Sequence, residues 1–176
     1  MTGDQKAKWL ARLNGKCWWH VVPEAAPACY EQRGRFYAAT YKLDESYGKP
    51  LMIPDRVTLK NPLIGDDEET DLALFGHVLA QSRSYKELCW QEARRKRRAL
   101  ALGYDSIAVV TPINMARFYE TGRVPTDIEL CLLDLSLSRK AHPRDFMSGW
   151  RRNLENVYRF YTRYGVELSP ILAAQP

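Results

Sequence analysis

The order of apolar patterns along this chain predicts an α+β fold. Short runs rich in β-branched and aromatic residues recur from Cys17 to Leu135, helical periodicities stand between some of them and after the last, and strict alternation of strand and helix is absent. No glycine-rich phosphate loop follows any strand-like run, so the pattern supports neither a Walker A nucleotidase nor a Rossmann dinucleotide site.

Each element has a local reason. Asp4 to Leu13 carries Trp9, Leu10 and Leu13 at helical spacing and stops at Asn14-Gly15, which predicts a leading helix. Cys17 to Val22, CWWHVV, reads as a buried strand, and Pro23 to Gly34, with two prolines and a closing glycine, as a loop. A strand over Arg35 to Thr40, a helical turn over Lys42 to Tyr47 and a strand over Arg56 to Lys60 follow, the last ended by Asn61-Pro62 because proline offers no amide proton to a ladder. The acidic stretch Gly65 to Thr70 reads as a loop leading into a helix over about Asp71 to Gln81, where carboxylates suit the positive end of the helix dipole.

Tyr85 to Leu102 is the clearest helix, with Leu88, Cys89, Ala93 and Leu100 on one face, the basic run Arg94 to Arg98 around it, and Gly103 at its end. Tyr104 to Val110 predicts a strand, Thr111 to Arg123 a linker that can hold a helical turn, and Ile128 to Leu135 a further strand. A last helix is expected over about Asp145 to Tyr164, where Phe146, Trp150, Leu154, Val157 and Tyr161 form a stripe stopped by Gly165.

At 176 residues the chain is expected to form a single domain, residues 1–176, and its 45% hydrophobic and 27% charged content is that of a globular protein. A net charge of +5 tilts it mildly toward polyanionic partners. Cys17, Cys29, Cys89 and Cys131 are scattered, without a CxxC pair or a histidine at zinc-ligand spacing, so no metal site and no disulfide framework is expected. The N-terminal MTGDQKAKWLARLNGK lacks the apolar core of a secretory signal and no later run reaches membrane-span length, which leads to the expectation of no membrane association.

Three ordered signatures carry a functional expectation. His20 stands in CWWHVV; Tyr37, with Phe36 beside it, stands about a dozen residues before Tyr47-Gly48; and ALGYDSIAVV precedes DIELCLLDLS, which opens with Glu129. Together with the Asn61-Pro62-Leu63 strand end, this order over residues 17 to 135 resembles the ADP-ribosyltransferase superfamily, in the His-Tyr-Glu branch of diphtheria toxin and the poly-ADP-ribose polymerases, and in particular its bacterial and phage toxin or effector members. Val21 and Val22 stand where that family usually has small residues after the histidine.

The resemblance implies a split β-sandwich with flanking helices as the core, residues 17–135, and the C-terminal helix, residues 145–164, as an addition. It implies a glycosyltransferase-class reaction in which ADP-ribose passes from NAD, the co-substrate, to a host or target protein or nucleic acid as nicotinamide leaves, with NAD hydrolysis a near variant. It implies a toxin or effector; the scattered thiols and the signal-free N-terminal stretch add the expectation of a reducing cytoplasm, or of delivery into a target cell without a cleaved signal peptide.

By the same resemblance His20 holds the nicotinamide-side ribose, Tyr37 and Tyr47 sandwich the nicotinamide, and Glu129 is the catalytic carboxylate, with His20 and Tyr37 counted beside it in the catalytic set. Stacking and cation-π contact suit a flat cationic ring, each at about 1 kcal/mol. A carboxylate that bonds a ribose hydroxyl offsets the charge of an oxocarbenium-like transition state. Tyr41 competes with Tyr37, and Glu120 and Asp134 with Glu129. The contrasting expectation is a non-enzymatic protein of this fold, or a basic binding protein, that uses the Arg94 to Arg98 helix and the C-terminal helix to hold a protein or nucleic-acid partner.

Overall fold

The computed structural model describes residues 1–22, 32–39, 49–50, 54–142 and 144–146. The expected helical turn at 42–47, with Tyr41 and Tyr47, and most of the expected helix at 145–164 lie outside the described residues. The chain divides into two compact units, Met1–Ala141 and His142–Pro176, with the boundary close to the end of the stretch that carries the family resemblance. The second unit is described at 142 and 144–146, where the amide of Asp145 donates to the carbonyl of His142.

The first unit is a mixed α+β structure. Its elements are α1 (Gly3–Gly15), β1 (Val21–Val22), β2 (Arg35–Ala38), β3 (Lys49–Pro50), β4 (Asp55–Val57), β5 (Pro62–Gly65), α2 (Asp67–Phe75), α3 (Tyr85–Ala101), β6 (Ser106–Val109), α4 (Pro112–Thr121), β7 (Glu129–Leu132), a 3-10 turn (Leu135–Leu137) and β8 (Ser138–Lys140). The main sheet has the order β2-β7-β6-β5, with β5 parallel to β6 and the other pairs antiparallel. Two further ribbons pair β1 with β3 and β4 with β8.

Trp18 and Trp19 do not form the continuous strand expected of CWWHVV. They make successive bridges to two different strands, Trp18 to Asp55 of β4 and Trp19 to Ala38 of β2, each closed by two backbone hydrogen bonds of 2.8–2.9 Å. One dipeptide thereby ties the β4–β8 ribbon to the main sheet.

The helices follow their caps. The side chain of Thr2 accepts from the amide of Gln5 and that of Asp66 from the amide of Glu69, each answered by the reciprocal bond of a capping box, and Ser84 and Thr111 cap α3 and α4. Hence α2 begins at Asp67, four residues earlier than its apolar spacing suggests, and ends at Gly76 rather than near Gln81, because Gly76 takes the left-handed conformation with φ 75°. Residues 111–123, expected as a linker, hold the ten-residue helix α4, opened by Thr111-Pro112 and closed by Gly122 at φ 67°.

Pro62 opens a strand instead of ending one. As the first residue of β5 it needs no amide proton, and the expected strand over Arg56 to Lys60 shortens to Asp55–Val57. Asp105 fixes the join between the two: its Oδ2 accepts the amides of Lys60 at 2.6 Å and Asn61 at 2.9 Å, so the Gly-Tyr-Asp turn positions β5 beside β6.

Two apolar layers cover the main sheet. Trp9 and Leu13 of α1 and Met115 and Phe118 of α4 pack with Trp18, Tyr37, Ala108, Leu130 and Leu132 on one face, where Trp9 meets Phe118 edge to face at 5.4 Å. Leu74 of α2 and Ala99 of α3 pack with Leu63, Ile107, Cys131 and Leu133 on the other. Among the described residues no helix is long and apolar enough to cross a membrane.

Candidate functional site

Strand register decides which expected site residues can meet. Directly paired residues of neighbouring strands point to the same face and successive residues alternate. Ala38 pairs with Glu129 and Glu129 with Val109; Phe36 pairs with Cys131 and Cys131 with Ile107. Phe36, Ala38, Glu129 and Cys131 therefore share the face covered by α2 and α3. Tyr37 pairs with Leu130, and both belong to the α1 and α4 face. The structure brings His20 and Tyr37 together, with ring centroids 5.5 Å apart, and places Glu129 across the sheet from Tyr37.

On the Tyr37 face the side chains are buried and locked. The Tyr37 hydroxyl donates to Oδ2 of buried Asp55 at 2.7 Å, and Asp55 also receives Lys140 at 2.8 Å and Arg35 at 3.8 Å. Burial and the bond to Asp55 push the Tyr37 hydroxyl up to about 12, so it stays protonated. His20 Nδ1 lies 2.7 Å from the carbonyl oxygen of Phe36. A carbonyl only accepts, so Nδ1 carries the proton and Nε2 is the acceptor nitrogen of the neutral ring. His20 thus holds the backbone of β2 one residue before Tyr37.

Burial lowers the His20 pKa, with the Phe36 carbonyl opposing in part. The unfolded chain takes this proton near pH 6.5, whereas the folded ring resists it, so stability is full above that pH and falls as the pH drops toward the folded pKa. The melting temperature is expected to decrease between pH 7.5 and 5.5, and by less in His20→Gln. An equal decrease in both proteins would remove His20 as the cause.

On the opposite face lies a cleft of about 200 Å³, whose lining includes Arg33, Phe36, Glu92, Arg95, Lys96 and Glu129. Glu129 is exposed at the start of β7. Arg33 pairs with Glu92, its Nη1 donates to the Tyr85 hydroxyl at 3.1 Å, and its guanidinium stands 5.6 Å from the centroid of Phe36. Arg95 grips Asp71 with Nε at 2.7 Å and Nη2 at 3.0 Å. Burial pushes the Glu92 carboxyl up while Arg33 opposes, and burial pushes the Cys131 thiol far up, leaving that sulfur protonated and unreactive.

Gly34 admits β2 to this arrangement. It has φ 93°, and a Cβ there would stand 2.7 Å from Cys131 Sγ and 2.9 Å from the carbonyl oxygen of Leu132.

Of the rival carboxylates, Glu120 is exposed on α4, and Asp134 is taken up in the 3-10 turn. Asp134 accepts the hydroxyl of Ser136 at 2.7 Å and its amide at 3.0 Å, and these bonds lower its pKa. Nothing in the sequence motifs marks Phe36 or Arg33 as a site residue. Period-two alternation shows that Phe36 and Tyr37 face opposite ways, but the register that puts Phe36 with Glu129 comes from the fold. No protein-family model, curated protein or solved structure matches this chain.

Proposed function

We propose that the chain is an ADP-ribosyltransferase with the split β-sandwich of that family, moving ADP-ribose from NAD to a macromolecular acceptor as nicotinamide leaves. The observation that carries this reading is the placement of Glu129 and Phe36 on one sheet face, at a cleft edged by Arg33, Arg95 and Lys96. The cleft, at about 200 Å³, is smaller than the sites of drug-sized ligands and suits one ring with its sugar, so the rest of a dinucleotide would extend outside it.

In this reading Phe36, rather than Tyr37, stacks on the nicotinamide, with Tyr47 as the expected second ring. Glu129 bonds a ribose hydroxyl and offsets positive charge as the glycosidic bond lengthens, a contact stronger in the transition state than in the ground state. His20 and Tyr37 act from behind the sheet: His20 through the Phe36 carbonyl and Tyr37 through Asp55 hold β2 in place.

Phe36→Ala is expected to raise KM for NAD about fivefold, the worth of one stacking contact of about 1 kcal/mol. Steady-state rates of nicotinamide release measure it, and an unchanged KM would move the ring contact elsewhere.

One observation favours a second reading, a protein of this fold that binds a partner without turning over NAD. Arg33 and Arg95 are already engaged by Glu92 and Asp71. Incubation with adenylate-labelled NAD and a cell lysate separates the two. Nicotinamide release or label transfer supports the enzyme; neither, together with no rise in melting temperature on adding NAD, supports the binding protein.

A further inference from the structure

The outer side of α3 has a composition that a merely solvated helix face does not need. Among its 17 residues are six Lys or Arg and two Glu, yet in the midst of these charges Trp90 is 57% exposed. Arg95 and Arg98 are engaged by α2, Arg95 by Asp71 and Arg98 by the carbonyl of Leu74. Lys86, Trp90, Arg94 and Arg97 follow one another at intervals of four, four and three residues, which aligns them along one side of the helix. At 100° per residue that side is opposite the one carrying Leu88, Glu92, Arg95 and Lys96 to the cleft.

The Arg94 guanidinium lies 4.6 Å from the centroid of Phe75 and 5.7 Å from that of Trp90, so a cation is fixed beside the exposed indole. Lys86 and Arg97 are exposed on either side of the pair. We propose that this stripe is a binding surface for single-stranded nucleic acid, with an unpaired base stacked on Trp90 beside Arg94 and backbone phosphates paired with Lys86 and Arg97. A duplex keeps its bases stacked inside and offers the ring nothing, and an acidic protein would satisfy the cations but not the indole. The surface lies away from the Glu129 cleft and does not depend on NAD.

The test is fluorescence anisotropy of a fluorescein-labelled oligo(dT) of about 12 nucleotides, without NAD, at about 50 and 200 mM salt. The oligonucleotide is expected to bind the wild-type chain and to weaken with salt. Trp90→Ala is expected to weaken binding about five- to a hundredfold. Arg97→Ala is expected to reduce the salt slope by about 0.7. Both variants replace exposed side chains and should melt with the wild type. The proposal is overturned if no binding occurs, if a duplex binds as tightly, if polyglutamate competes as well as unlabelled oligonucleotide, or if Trp90→Ala binds with wild-type affinity.

Discussion

Glu129→Gln is expected to slow nicotinamide release from NAD by about 10²- to 10³-fold, the loss that follows removal of one preorganised electrostatic partner of a transition state. The substitution keeps the size of the side chain, removes its charge and replaces one of its two acceptor oxygens with an NH2 donor. Glu129 is exposed at the first residue of β7, so the stability should change by no more than the roughly 0.5 kcal/mol that surface substitutions cause. The effect should fall on kcat more than on KM, because the carboxylate is asked to stabilise charge that develops only as the glycosidic bond breaks. Equal loss in Glu120→Gln or Asp134→Asn, neither of which lines the cleft, would undo the assignment.

Asp55→Ala is expected to destabilise the fold by about 3 kcal/mol. Asp55 is buried and accepts from Tyr37 on β2 and Lys140 on β8 at 2.7 and 2.8 Å, while its backbone bridges Trp18. Truncation leaves the Tyr37 hydroxyl buried without this acceptor, at about 1–3 kcal/mol. Lys140 and Arg35 are partly exposed and can return to water, which keeps the total toward the low end of the range for a broken buried pair. For a chain of 176 residues that corresponds to a melting temperature lowered by roughly 6–12 °C. Asp55→Asn, which retains an acceptor for Tyr37, should lose less than half as much. A loss equal to that of Asp55→Ala would mean that charge, not the buried hydroxyl bond, dominates.

The elements legible in the sequence are those whose local signals agree. The helix Tyr85–Ala101 combines a long apolar stripe with a stop at Gly103, and the sequence reading overshoots its end by one residue. The helix Pro112–Thr121 was hidden because its apolar face is short, although Thr111-Pro112 and Gly122 carry both of its end signals. Pro62 is ambiguous by nature: a residue that cannot donate can stand at either end of a strand, and only pairing with Ser106 shows which.

Of the candidate residues, the place of Glu129 at a strand start was legible in the sequence, and which of the others share its face was not. Glu129 reads as a carboxylate at the mouth of an apolar strand, and it lies there. Whether Phe36 or Tyr37 accompanies it depends on pairing Ala38, and not its neighbour, with Glu129, and a slip of one residue would reverse every face. The cations of the cleft come from outside those motifs, from Arg33 before β2 and from α3, which is why the motif order alone did not supply them.

A crystal structure of Glu129→Gln grown with NAD would show directly whether NAD binds on the Glu129 and Phe36 face. The nicotinamide ring is expected against Phe36, with a ribose hydroxyl within hydrogen-bond distance of the side chain at position 129. A ring packed against Tyr37 on the opposite face of the sheet, or a cleft that stays empty at saturating NAD, would contradict that placement.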